Sequence, residues 1–271
     1  MSYINILSFI ISLVLSYVGI PMIFNMLIKN DTIRQNYKGE GIPISMGLSF
    51  VFIQVISLSI TSLIIEDNIN YTIYYLFSFI LIGLVGLLDD LIGDTHIKGF
   101  KGHIRSFFKG NLTTGGIKAG IGFFVALIVS ILLSKDIVEI VVNTFIIALF
   151  TNLINLFDLR PGRSIKVFII ISIIMIVLSI TKDYNFFFYS FYGILMVYFP
   201  LDLKAKAMMG DVGSNTLGIT LGVYCVYSHS LPIKITYILF LLVIHILAEK
   251  LSFSDIIDNN KILKFIDNLG R

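Results

Sequence analysis

Charge is scarce in this chain. Only 14% of its 271 residues are Asp, Glu, Lys or Arg, against 56% hydrophobic, and the mean hydropathy is +0.92. Soluble domains carry about 25% charged residues. The composition therefore excludes an ordinary soluble globule and points to the bilayer as solvent. The net charge of +3 is too weak for a nucleic-acid binder and suits basic loops beside a membrane. Cysteine is nearly absent. Cys225 stands alone inside an apolar run, which excludes an internal disulfide and reads as packing. No basic residue precedes Tyr3, and no small-residue cleavage pattern follows the first apolar run, which is expected to be a retained span rather than a signal peptide. Low-complexity linkers and solenoid-length repeats are lacking too.

What the chain has in abundance is apolar sequence. A transmembrane helix needs about 20 mostly apolar residues. Nine segments meet that need, roughly 3–28, 44–65, 70–88, 115–134, 137–157, 165–181, 186–203, 211–229 and 233–250. The fourth and fifth are separated by so few residues that they form a tight hairpin. The expected fold is an all-α polytopic bundle over residues 1–250, followed by a cytoplasmic amphipathic tail, 251–271. In that tail Phe253, Ile256, Ile257, Leu263, Ile266 and Leu269 recur at spacings near three and four, as in a helix lying on a membrane surface or packed against the bundle.

Lys and Arg are distributed unevenly. Loops 29–43, 89–118, 158–166 and 204–210, with the tail from Lys250, hold 17 of the 20; Lys135, Lys182 and Lys234 are the others. The positive-inside rule places the first set in the cytoplasm and the N-terminus outside.

The acids and amides that interrupt the apolar runs fall on the same side. Asp89-Asp90 end the third span. Paired carboxylates at a membrane boundary need a partner, and Mg²⁺ takes carboxylate and phosphate oxygens while keeping several waters; plain helix termination in water is the simpler reading. Asn152, Asn155 and Asp158 recur every third residue at the end of the fifth span, near one helix face. Their amides suit a base or sugar, or else hydrogen bonding between helices. Gly210-Asp211-Val212-Gly213-Ser214 opens the eighth span. Glycines and a helix N-terminus favour phosphate, whereas Asp211 repels it unless a metal intervenes; Asp211 or Ser214 could equally be a simple cap. The loop after Asp90 holds Asp94, His96, Lys98, Lys101, His103, Arg105 and Lys109, then Lys118; its basic side chains supply positive charge for a phosphate, or merely make a basic cytoplasmic loop. Gly218 and Gly222 have helix-packing spacing.

These blocks resemble the polyprenyl-phosphate N-acetylhexosamine-1-phosphate transferases, of the glycosyltransferase 4 type. Four match in order between about residues 38 and 222: Gly41-Ile-Pro43-Ile-Ser-Met46-Gly47, Asp89-Asp90, Asn152 to Gly162, and Met209-Gly-Asp211-Val-Gly213-Ser214. The resemblance implies transfer of a sugar 1-phosphate from a UDP-sugar to a polyprenyl phosphate, with release of UMP, at a Mg²⁺ site facing the cytoplasm of the bacterial plasma membrane. It implies Asp211 and Asp89 as metal ligands, and Asp89, Asp90 and Asp211 as catalytic residues. Asn152, Asn155, Asp158, Lys118, Gly210, Gly213 and Ser214 would bind substrate. A homodimer is one expected assembly. The chain departs from the family pattern in three places. Position 161 is Pro where a second Asp is usual. Leu201-Asp-Leu-Lys204 replaces an Asn-x-x-Pro pattern. No histidine follows Lys250. Two other readings stand beside the transferase: a non-catalytic relative that binds a polyprenyl lipid or a cell-wall partner, and a transporter, for which His245 and Glu249 are the intramembrane candidates.

Overall fold

The computed structural model describes residues 3–65, 69–93 and 100–270. Its long helices are α1 (Tyr3–Lys29), α2 (Leu48–Ile65), α3 (Ile69–Ile92), α5 (Thr114–Leu133), α6 (Ile137–Phe157), α7 (Arg163–Leu178), α8 (Phe186–Leu203), α9 (Gly210–Ser228) and α10 (Leu231–Lys250). Short helices α4 (Phe100–Phe108), α11 (Phe253–Asn259) and α12 (Lys261–Asn268) lie between and after them. Each of the nine expected segments contains one of these helices, although α2 begins at Leu48 rather than 44 and α7 ends at Leu178 rather than 181. Six, α1, α3, α5, α6, α8 and α10, are long and apolar enough to cross a bilayer on those grounds alone. Of the rest, α7 has only 16 residues, and α9 is nearly all interior. The chain is a polytopic helical membrane protein.

Small residues decide which helices meet. Ser8, Ser12 and Ser16 make a buried stripe on α1, and Ser8 donates to the Phe186 carbonyl of α8 (2.7 Å). Helix α9 runs through the middle, buried from Val212 to Val226. A methyl on Gly218 would come within 2.5 Å of the Phe150 carbonyl oxygen, and one on Gly222 within 2.8 Å of the Ile147 α-carbon. The packing role expected from their spacing thus joins α9 to α6. Gly86 does the same for α3, where an added carbon would lie 2.7 Å from backbone atoms of Asp211 and Val212. These close approaches bring the end of α3, the end of α6 and the start of α9 to one place.

Two local features complete that end of the bundle. Residues 33–43 form an antiparallel hairpin, β1 (Ile33–Gln35) with β2 (Gly41–Pro43), in the register Ile33↔Pro43, Arg34↔Ile42 and Gln35↔Gly41. Its continuation holds the segment before α9 by three backbone bonds: Met208 N–H to Pro43 O (2.9 Å), Met46 N–H to Met208 O (3.0 Å) and Gly47 N–H to Met209 O (2.9 Å).

The tail is two helices rather than one. Asn260 divides them because its side chain caps α12, accepting from the Ile262 and Leu263 N–H groups (3.0 and 3.1 Å). Both helices dock on the α6–α7 turn. Phe253 stacks on Phe157 with ring centroids 5.1 Å apart. Arg160 binds Asp258 through two bonds (3.0 and 2.8 Å), and Arg163 binds Asp267 through two more (2.9 and 3.0 Å).

Candidate active site

The N-terminus of α9 organises the site. Gly210 has φ +70°, a left-handed conformation that glycine adopts without penalty. A side chain there would also collide with the Asp90 carboxylate. That carboxylate caps α9: Oδ1 accepts from the Asp211 N–H (2.8 Å) and Oδ2 from the Val212 N–H (3.3 Å). An acid at this position satisfies free amides and meets the positive end of the helix dipole. The backbone of Asp90 is held in turn by Arg34 of the hairpin, whose Nη2 donates to its carbonyl (2.7 Å).

Asp89 points elsewhere, as adjacent residues on a helix must. Its Oδ2 lies 3.7 Å from Lys118 Nζ, while the same ammonium donates to Asp211 Oδ2 at 2.5 Å. Asn155 completes the group. With its amide nitrogen toward Asp211 Oδ1 (2.9 Å) and Ser214 Oγ (3.2 Å), its oxygen accepts from Lys118 Nζ (3.1 Å). That orientation matches every donor to an acceptor.

Asp158 forms the neighbouring wall. It follows α6, and its Oδ1 accepts from Ser164 Oγ (2.7 Å). Burial, and then the charges of Asp202, Asp211 and Asp90, push its carboxyl up to about 7, with Ser164 opposing. Asp202, at the end of α8, is buried, and its Oδ2 accepts from the Gly162 N–H (2.7 Å). Asp90, Asp158, Asp202, Asp211 and Arg34 line one cavity of about 260 Å³.

The expected residues are therefore largely brought together. Asp89, Asp90, Lys118, Asn155, Asp211 and Ser214 form one connected network, and Asp158 faces the adjoining cavity. Gly210 supplies its conformation. Gly213 is packed against Met209, where an added carbon would sit 2.5 Å from Cβ, so its place in the site is close packing. Asn152 is exposed on α6 and joins none of these bonds. Asp94, His96 and Lys98 lie outside the described residues, as do the side chains of Lys101 and His103. Arg34 and Asp202 belong to the site although the sequence motifs did not include them. Asp202 carried the same signal as Asp89, an acid closing an apolar run, whereas nothing in the spacing of Arg34 marks a hairpin folding back over α3.

This arrangement suits a polyanion held beside a cation. Among the described residues no three His, Cys, Asp or Glu side chains form a metal-holding group. Two hard carboxylates, Asp89 and Asp211, do share one cation, the Lys118 ammonium. A donor pair of that kind fits Mg²⁺, which binds through one or two carboxylates plus phosphates and retains waters.

Comparison with known proteins agrees with the geometry. The profile of glycosyl transferase family 4 matches residues 72–229, which span α3 to the end of α9 and so include every acid of the cluster. The chain belongs to glycosyl transferase family 4. Relatives include the phospho-N-acetylmuramoyl-pentapeptide-transferase of Staphylococcus carnosus, 30% identical over 232 residues, covering 79% of this chain and 72% of that one. The protein of the same name from Staphylococcus saprophyticus is 29% identical over 237 residues (77% and 72%), and that of Clostridium perfringens 25% over 228 (79% and 69%). The family resemblance carried by the four sequence blocks thus holds for the chain. Its Arg160 and Arg163 are held by Asp258 and Asp267 of a tail without histidine.

Proposed function

We propose that the chain transfers a sugar 1-phosphate, of the N-acetylhexosamine type, from a UDP-sugar to a polyprenyl phosphate and releases UMP, in cell-wall or surface-glycan synthesis. The observation that carries this reading is the Asp89–Lys118–Asp211–Asn155 network, set against an α9 N-terminus capped by Asp90. In the reaction an oxygen of the lipid phosphate attacks the sugar-bearing phosphorus. A new P–O bond forms as the bond to UMP breaks, and the departing phosphate takes the electron pair. The nucleophile is already anionic at neutral pH, so no strong base is required. The demand on the protein is positioning and charge neutralisation.

Each residue has a part in that task. Asp211 and Asp89 would hold Mg²⁺, which supplies Lewis-acid neutralisation of the phosphate oxygens. Lys118 holds the two carboxylates in register and presents an ammonium to an arriving diphosphate. Asn155 fixes both Lys118 and Asp211. Asp90 orders the first turn of α9, and Arg34 keeps Asp90 in place at the cavity rim. Asp158, with a carboxyl near 7, is able to donate or accept a hydrogen bond toward the nucleotide. The Lys and Arg distribution supports a multi-pass protein of the bacterial plasma membrane with this end facing the cytoplasm.

The test is Mg²⁺-dependent UMP release with undecaprenyl phosphate as acceptor, using UDP-N-acetylglucosamine and the UDP-muramoyl-pentapeptide as alternative donors. Turnover with one donor is expected; none with either would contradict the reading. A non-catalytic lipid-binding relative is the second reading, favoured by the tail that ties up Arg160 and Arg163. It requires that Asp211→Asn leave cellular function intact.

A further inference from the structure

We propose that α12 seats an apolar stripe in an anionic bilayer surface at the acid end of the bundle. Ile262 and Phe265, three residues apart, share one side of the helix, and Leu269 is its C-terminal capping residue. They are 72%, 68% and 59% exposed. Isolated exposed apolar residues are ordinary; three large ones grouped on one short helix and its C-cap are not. The opposite side explains why the stripe faces outward. Asp267 is buried against Arg163, and Lys166 donates to the carbonyls of Ile266 and Asp267 (2.9 and 2.6 Å). These bonds fix the rotation of α12 about its axis and turn Ile262, Phe265 and Leu269 away from the protein.

The occupant follows from charge and continuity. Lys261 and Lys264 are exposed on the same helix, which gives it the basic amphipathic form that binds anionic headgroups. Helix α12 also adjoins an exposed apolar surface of the bundle. Lys166, which holds its C-terminal carbonyls, lies one turn before the exposed Ile170 of α7 and two before the exposed Ile173 and Ile174. The apolar surface of α7 therefore runs on to α12. A bilayer is the partner that covers both. This inference does not rest on the transferase chemistry.

The chain has no tryptophan, so one introduced residue reports alone. Full-length Ile262→Trp, Phe265→Trp and Lys264→Trp would be placed in nanodiscs with and without anionic phosphatidylglycerol, and quenched by brominated lipid. The expected quenching at 262 and 265 is about twofold or more that at 264, as for an amphipathic helix lying in the interface, and it increases when anionic lipid is present. Equal quenching at all three positions would overturn the proposal. So would access of aqueous iodide to 265 as free as to 264, a result that would assign the stripe to a soluble partner or to water. If Phe265→Trp does not fold, the contrast between 262 and 264 separates the same two outcomes.

Discussion

The Lys118 ammonium lies between two acids, 2.5 Å from Asp211 Oδ2 and 3.7 Å from Asp89 Oδ2, although 93 residues separate Lys118 from Asp211 in sequence. Each of the three sits on a different helix. Gly86 permits the close approach of α3 to α9 that brings Asp89 to Asp211, and Gly218 and Gly222 bring in α6 with Asn155. Lys118→Met keeps the bulk of the side chain and removes the charge. Loss of one preorganised donor from such a site lowers turnover about a hundredfold. Lys118→Arg should not restore it, because a planar fork cannot replace a point charge held between two carboxylates. Initial rates of UMP release for the two variants check this.

Asp90 acts through the backbone of α9 rather than through Lys118. Asp90→Ala leaves the Asp211 and Val212 N–H groups without their side-chain acceptor, at about 1–2 kcal/mol of stability, the usual cost of a lost cap. Asp90→Asn retains an acceptor oxygen and should lose less. Thermal unfolding of the two variants in one detergent orders them.

The carboxyl of Asp158 gives a pH dependence of definite sign. It is pushed up from 3.8 to about 7, so between those values the folded chain binds more protons than the unfolded one. Stability contributed by this group is therefore lost as pH rises through that window. Metal- and substrate-free protein should unfold at a lower temperature at pH 8 than at pH 5.5. Asp158→Asn, which cannot ionise, should flatten that slope. A slope unchanged by the substitution would place the titrating group elsewhere.

The Arg163–Asp267 pair should dominate tail docking. Its side chains are only 3% and 4% exposed, and breaking one half of such a pair costs about 3–5 kcal/mol because a buried charge is stranded. Asp267→Asn is expected to release the tail to protease, whereas Arg160→Gln, which removes a half-exposed pair, should do so far less. The fragment pattern of limited proteolysis separates the two.

The long helices were legible because apolar composition alone marks a membrane span. Most of the acid cluster was legible for a related reason: carboxylates and amides at the ends of apolar runs are costly unless partnered. Asp89, Asp90, Asp158 and Asp211 all carried that signal, and so did Asp202, which stands in the sequence only as a departure from the family pattern. The β1–β2 hairpin was not legible. Its strands have three residues each, too few for an alternating pattern, and Pro43 with the residues just after it is held by bonds to residues 208 and 209 far along the chain. The division of the tail at Asn260 is likewise a local capping choice inside one continuous amphipathic pattern. Asn152 shows the converse limit, since its spacing from Asn155 is that of one helix face while its surface is exposed.

The central claim is that Asp211 serves a Mg²⁺-dependent transfer to a lipid phosphate. The direct measurement is formation of the polyprenyl-diphosphate sugar in nanodiscs, with Mg²⁺ or with EDTA, for the natural chain and for Asp211→Asn. Product is predicted only for the natural chain with Mg²⁺, matched mole for mole by UMP. Product formed equally by Asp211→Asn, or equally in EDTA, would contradict the account.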